Sequence, residues 1–133
     1  MTETSINSST DIATRLFAAI EAGDVAAVEA LYSPDIVVWH NYDGVSQTKD
    51  ENLRTLRWLT RNVTGLRYEE IQLQETPRGF VQQYVLRATG PDGAALEVPV
   101  CMVGTVVNGQ VTRLEEYMDS AHVRSLPGPW NRG

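Results

Sequence analysis

The repeat of the sequence changes at Gly65. Before it, apolar residues recur at helical intervals. After it come four strand-like stretches, Leu66–Glu75, Gly79–Thr89, Ala94–Val107 and Gln110–Ser120. They are punctuated by Pro77-Arg78-Gly79, Pro91-Asp92-Gly93 and Asn108-Gly109, residue types that set or tolerate the dihedral angles of tight turns. Asn-Gly between two strands is the strongest short-range hairpin signal, because both central positions of that turn need positive φ. Strands joined this closely pair antiparallel. Pro99 lies inside the third stretch; it lacks an N–H, so an edge, a bulge or a bend is expected there.

The first half reads as helices with one intervening strand. Ile12, Ala13, Leu16, Phe17 and Ile20 form one stripe at helical spacing. Gly23 suits the left-handed cap of that helix and Asp24 the N-cap of the next. Val25, Val28, Leu31 and Tyr32 share a face of the second helix, which Pro34 is expected to end. Ile36–Asn41 is β-branched and aromatic, hence a strand. Thr48-Lys49-Asp50-Glu51 is a capping box opening a third helix with Leu53, Leu56, Leu59 and Val63. Helices first and strands afterwards define an α+β domain with the helices packed on one face of a curved sheet. Residues 1–9 are expected to be disordered, residues 10–121 to form the domain, and residues 122–133 to be a covering tail.

Composition narrows the partners. The chain has 133 residues, enough for one domain with its own core, and a net charge of −6. Such a chain repels phosphate backbones and anionic membrane surfaces, so neither nucleic acid nor membrane is the expected partner. Cys101 is the lone cysteine, which fits a reducing compartment. The first eleven residues lack an apolar core of the signal-peptide kind. No apolar run approaches the roughly 18 residues needed to span a bilayer. A cytoplasmic location is expected. The two histidines, His40 and His122, offer no metal-site spacing, and no metal or cofactor is expected.

Two strands carry the candidate site. In the last, period two sets Thr112, Leu114, Glu116 and Met118 on one face. A carboxylate among Leu and Met on a core-facing strand costs free energy unless it is paired or protonated. Glu116 is therefore either an acid–base group or the buried partner of a backbone amide or of an arginine such as Arg87. In the first strand, Val37, Trp39 and Asn41 share one face and Ile36, Val38 and His40 the other. Trp39 suits a pocket wall and Asn41 a hydrogen-bonding role at the strand end. His40 has the parity opposite to theirs, which marks it as a packed or interface residue.

Ala22-Gly23-Asp24, Leu31–Asn41 and Asn108–Asp119, set in this order of elements, resemble the nuclear transport factor 2-like superfamily, and most of all its SnoaL-like branch with the ketosteroid isomerases and limonene-epoxide hydrolases. The resemblance covers roughly residues 10–125. It implies a cone-shaped, barrel-like α+β fold, with a strongly curved, mostly antiparallel sheet wrapped round three N-terminal helices. It also implies a deep pocket and a homodimer through the outer face of the sheet, where Val98–Val107 is apolar on both faces.

The isomerase roles fall at Asn41, Met102 and Leu16, none of which can fill them. The hydrolase tyrosine and asparagine look like Trp39 and Asn41, and its last-strand aspartate like Glu116. The hydrolase arginine and second aspartate fall near Gln83 and Val85. The cyclases of this branch also use an acid deep in the pocket. The resulting expectation is an enzyme of hydrolase, isomerase or cyclase type acting on an apolar cyclic molecule. Glu116 and Asn41 would be catalytic, with Trp39, Gln83, Trp58, Leu114, Met118, Met102 and Phe17 around the substrate. The rival is a non-catalytic ligand-binding or dimerisation module of the same fold.

Overall fold

The computed structural model describes residues 8–119 and 121. Helix α1 (Ser9–Glu21) is capped by Ser8, whose hydroxyl accepts from the Asp11 N–H at 3.1 Å. The helix thus starts earlier than its apolar stripe suggested, because capping is done by polar residues. Gly23 follows with φ +71°, and a β-carbon there would stand 2.9 Å from a Thr60 methyl. Asp24 then caps α2 (Val25–Leu31) through the Ala27 N–H. Helix α3 (Lys49–Asn62) opens on the expected capping box, with Thr48 and Glu51 each satisfying the other's backbone N–H.

Strand β1 (Tyr32–His40) begins where α2 ends, so Pro34 lies in the strand rather than after the helix. The register with the neighbouring strand shifts between Tyr32 and Val37. Pro34 and Asp35 are exposed in that irregular stretch, where a missing N–H breaks no ladder. A two-residue strand, β2 (Ser46–Gln47), pairs antiparallel with β1; two polar residues left no pattern to read. The remaining strands are β3 (Thr64–Glu75), β4 (Gly79–Thr89), β5 (Ala95–Val107) and β6 (Gln110–Met118). They follow the four stretches read from the turns. Asn108 and Gly109 both have positive φ, 52° and 76°, the turn that Asn-Gly favours. Pro99 sits one position beyond Val100↔Met118, where the β5–β6 pairing ends, so β5 is locally an edge there.

The six strands lie in the order β2-β1-β6-β5-β4-β3. All pairings are antiparallel except β1 with β6. The sheet is open, ending in β2 on one side and β3 on the other. Register shifts in β1–β6, β3–β4 and β5–β6 add bend and twist, which helps it curve round the helices. The core joins Ile12, Leu16 and Phe17 of α1 and Leu53 of α3 to Val38, Phe80, Val98, Met102 and Leu114 of the sheet. No helix among the described residues is long and apolar enough to cross a membrane.

Candidate active site

The parallel pairing of β1 with β6 brings His40 opposite Glu116, and the β5–β6 ladder places Met102 beside Glu116. All three line one cavity between the sheet and the helices. His40 Nε2 is 3.3 Å from Glu116 Oε1, with their side chains 8% and 21% accessible. The cavity measures about 120 Å³. Leu16, Phe17, Met102, Leu114 and Met118 also line it, so the structure gathers these predicted wall residues around Glu116.

The other predicted site residues lie elsewhere. Trp39 packs edge-on against Tyr117 on the outer face, ring centroids 5.3 Å apart. Asn41 and Gln83 belong to a shallow groove on that same outer side. The Asn41 side-chain oxygen accepts from the Met118 N–H at 2.9 Å, and its own N–H donates to the Glu116 carbonyl at 3.0 Å. Asn41 thus extends the β1–β6 ladder past its last pair, and its amide is spent on backbone. Trp58 is half-buried on α3 and is not part of the cavity wall.

The strand residues Trp39, Asn41 and Gln83 miss the cavity for one physical reason. Adjacent strand residues point to opposite faces, so taking Trp39 and Asn41 as inward put the wrong half of β1 in the pocket. The same holds in β4, where Tyr84 and Leu86 line the cavity while Gln83 and Val85 face the groove. His40 is the functional candidate that parity reasoning set aside. Its signal was present: it shares a face with Ile36 and Val38, the all-aliphatic side of β1.

Burial raises the Glu116 pKa above the ordinary glutamate value, and the nearby His40 pulls it partly back. No Lys or Arg is among the described residues lining the cavity. Arg87, the alternative partner, is occupied on the outer side of the molecule. It meets Glu69 at 3.0 Å and both Glu70 and Glu97 at 2.9 Å. Burial and the Glu116 charge also raise the Tyr32, Tyr68 and Tyr84 hydroxyl pKa values, so these stay protonated at neutral pH.

The walls are firmly built. Phe17, Tyr68 and Tyr84 pack edge-to-face on one another with centroids 4.9–5.1 Å apart. On the α3 side, Tyr32 donates to Asn52 at 2.8 Å, Asn52 to Gln47 at 3.0 Å, and Gln47 to Thr55 at 3.3 Å. This chain ties β1, β2 and α3 together along the cavity. The His40 ring lies 5.2 Å from Tyr42, and its Nδ1 is buried without a hydrogen-bond partner among the described residues. No cluster of metal-ligating side chains occurs among them. The arrangement offers a carboxyl group and an imidazole in contact in an apolar space, the carboxyl held above the ordinary glutamate range by burial.

The family model for the SnoaL-like domain matches residues 13–114, and the chain belongs to that family. A comparison with curated proteins gives no match. Among solved structures, it is similar to a candidate polyketide cyclase from Pseudomonas putida, with TM-score 0.78 and 18% identity over 91% of this chain and 98% of that one. It is also similar to an NTF2-like protein from Burkholderia thailandensis, with TM-score 0.75 and 21% identity over 92% and 98%. An LEH-like epoxide hydrolase from M. tuberculosis matches with TM-score 0.73 and 18% identity over 88% and 86%. At these identities the likeness is one of fold.

Proposed function

We propose that this chain is an acid–base enzyme acting on a small apolar molecule held in the cavity, with Glu116 as the proton-transferring group and His40 as its partner. The observation that carries the reading is Glu116 itself: a desolvated carboxyl with no arginine or lysine lining its cavity among the described residues, touching only an imidazole as a charged group. Keeping it there costs stability, and a raised pKa suits proton transfer at neutral pH. The polyketide-cyclase and epoxide-hydrolase descriptions of the fold neighbours are compatible with such chemistry, as is the family membership.

In the forward step Glu116 takes a proton from the carbon beside a substrate carbonyl, and the C–H electron pair moves through to the carbonyl oxygen as an enolate. Alternatively it takes a proton from water, whose oxygen bonds to a substrate carbon as that carbon's C–O bond breaks and its electron pair goes to the leaving oxygen. His40 and the protonated Tyr68 and Tyr84 are the donors available to either oxygen, since the Tyr32 hydroxyl is already given to Asn52. The proton then returns to carbon or to the leaving oxygen. Exchange of the α-hydrogens of cyclohexanone in D₂O, followed by NMR, measures the first half of this cycle directly. The wild type is expected to accelerate exchange, and Glu116→Gln to lose about a hundredfold or more of that acceleration. Equal rates for the two proteins would sink the role of Glu116 and favour the binding-module reading.

The homodimer belongs to this proposal as well. Trp39, Tyr117, Cys101 and Pro99 leave apolar surface on the outer face of the sheet, which a second copy could cover. Sedimentation equilibrium tests it. A cytoplasmic setting is the compartment proposed with it.

A further inference from the structure

The size and charge of the cavity say more about its ligand than the acid–base pair does. A cavity of about 120 Å³ is small beside the roughly 300–1,000 Å³ of ordinary ligand pockets. It is close to the roughly 150 Å³ of an engineered apolar cavity that accepts one benzene. Expansion toward the sheet and toward α1 is blocked, because Met102 and Leu114 of the sheet and Leu16 and Phe17 of α1 are at most 5% exposed and packed into the core. The three-ring cluster of Phe17, Tyr68 and Tyr84 closes another side. The yielding wall is α3, where Thr55, Leu56 and Leu59 are only half-buried.

Charge limits the ligand further. The lining holds two carboxyl groups, Asp43 and Glu116, and His40, with no Lys or Arg among the described residues. A carboxylate or phosphate entering beside Glu116 would be desolvated with no permanent cation to meet it.

We infer that the ligand of this cavity is an uncharged molecule built on a single ring, bearing a hydrogen-bonding oxygen such as a ketone, and that fused-ring and anionic molecules are rejected. The inference names the substrate class of the site proposed above and rests on that assignment of the cavity.

The test is a titration of the full chain by amide NMR with four probes: cyclohexanone, its anionic counterpart cyclohexanecarboxylate, the bicyclic 1-decalone, and a steroid enone. Cyclohexanone is expected to saturate, shifting the amides of Leu16, Met102 and Leu114. The other three are expected to bind at least about tenfold more weakly, a difference of about 1.4 kcal/mol. Leu59→Ala opens the α3 wall and should admit 1-decalone without admitting cyclohexanecarboxylate. Tighter binding of the decalone or the steroid to wild type would overturn the size limit. Binding of the carboxylate as tight as that of the ketone would overturn the charge limit. Failure of cyclohexanone to bind would overturn both. Cyclohexanone binding without Glu116-dependent hydrogen exchange would remove the enzymatic reading and leave the ligand class standing.

Discussion

The two faces of one sheet handle acidic residues in opposite ways. On the inner face Glu116 is desolvated, touches His40, and has its pKa pushed up. On the outer side Glu69 stands in solvent between Arg67 and Arg87, which hold its pKa down by hydrogen bonding. The outer network is a solvated cluster whose pairs each contribute little to stability. The inner pair is a single contact in an apolar space, where electrostatic interactions are less screened. Carboxyl groups are plentiful in this acidic chain, and only the environment separates the one proposed for chemistry from those that keep a surface charged.

This contrast can be broken most severely at Leu114, which is 2% exposed beside Glu116. Leu114→Ala should cost about 2–5 kcal/mol in chemical denaturation, whereas Glu115→Ala, one residue along and facing outward, should stay within about 0.5 kcal/mol. Loss of proton exchange in Glu116→Gln, about a hundredfold, comes next. It should have no counterpart in Glu69→Gln.

Glu116→Leu should then raise the melting temperature at neutral pH by a few degrees, about 1 kcal/mol or more. The sign follows from the proton balance. With its pKa raised in the folded state, Glu116 holds its proton more tightly there than in the unfolded chain. Its contribution is therefore most favourable below the unfolded glutamate pKa and declines as pH rises through that value toward the raised one. The advantage of the leucine variant should widen over that window. Glu69, with a lowered pKa, has the reverse dependence: its contribution is present above the unfolded value and disappears as pH falls through the folded one. A fall in melting temperature for Glu116→Leu would mean that the carboxyl satisfies a buried partner. A modest effect on stability alone is expected at Asn41. Asn41→Ala loses the bond to the Met118 N–H, about 1 kcal/mol, and should leave exchange kinetics unchanged.

Local signals were the legible ones. The turns at Gly79, Gly93 and Asn108-Gly109 bounded the strands, and Thr48 and Glu51 announced α3, because caps and turns are decided by a few adjacent residues. The family was legible from the order of these elements. Glu116 stood out because a lone acid among Leu114 and Met118 is costly. What could not be read was which face of β1 looks inward. Trp39 and Val38 are both good core residues, and the choice depends on β6, whose pairing with β1 is set by topology rather than by neighbouring sequence. Gln82 and Gln83 posed the same problem in β4, where identical side chains point to opposite faces. His40 was passed over for this reason and because a lone histidine on a strand is more often packed than functional.

The parallel pairing of β1 with β6 has a kinetic consequence. Strands β3 to β6 join through short turns and can form early from local contacts. The contact between His40 and Glu116 must instead close a loop running through α3 and all of β3, β4 and β5, at a cost in chain entropy that local hairpins avoid. The contact between His40 and Glu116 is therefore expected to be among the last things the chain assembles. An intermediate with every hairpin made and β1 undocked would be most of a folded sheet without its proposed site.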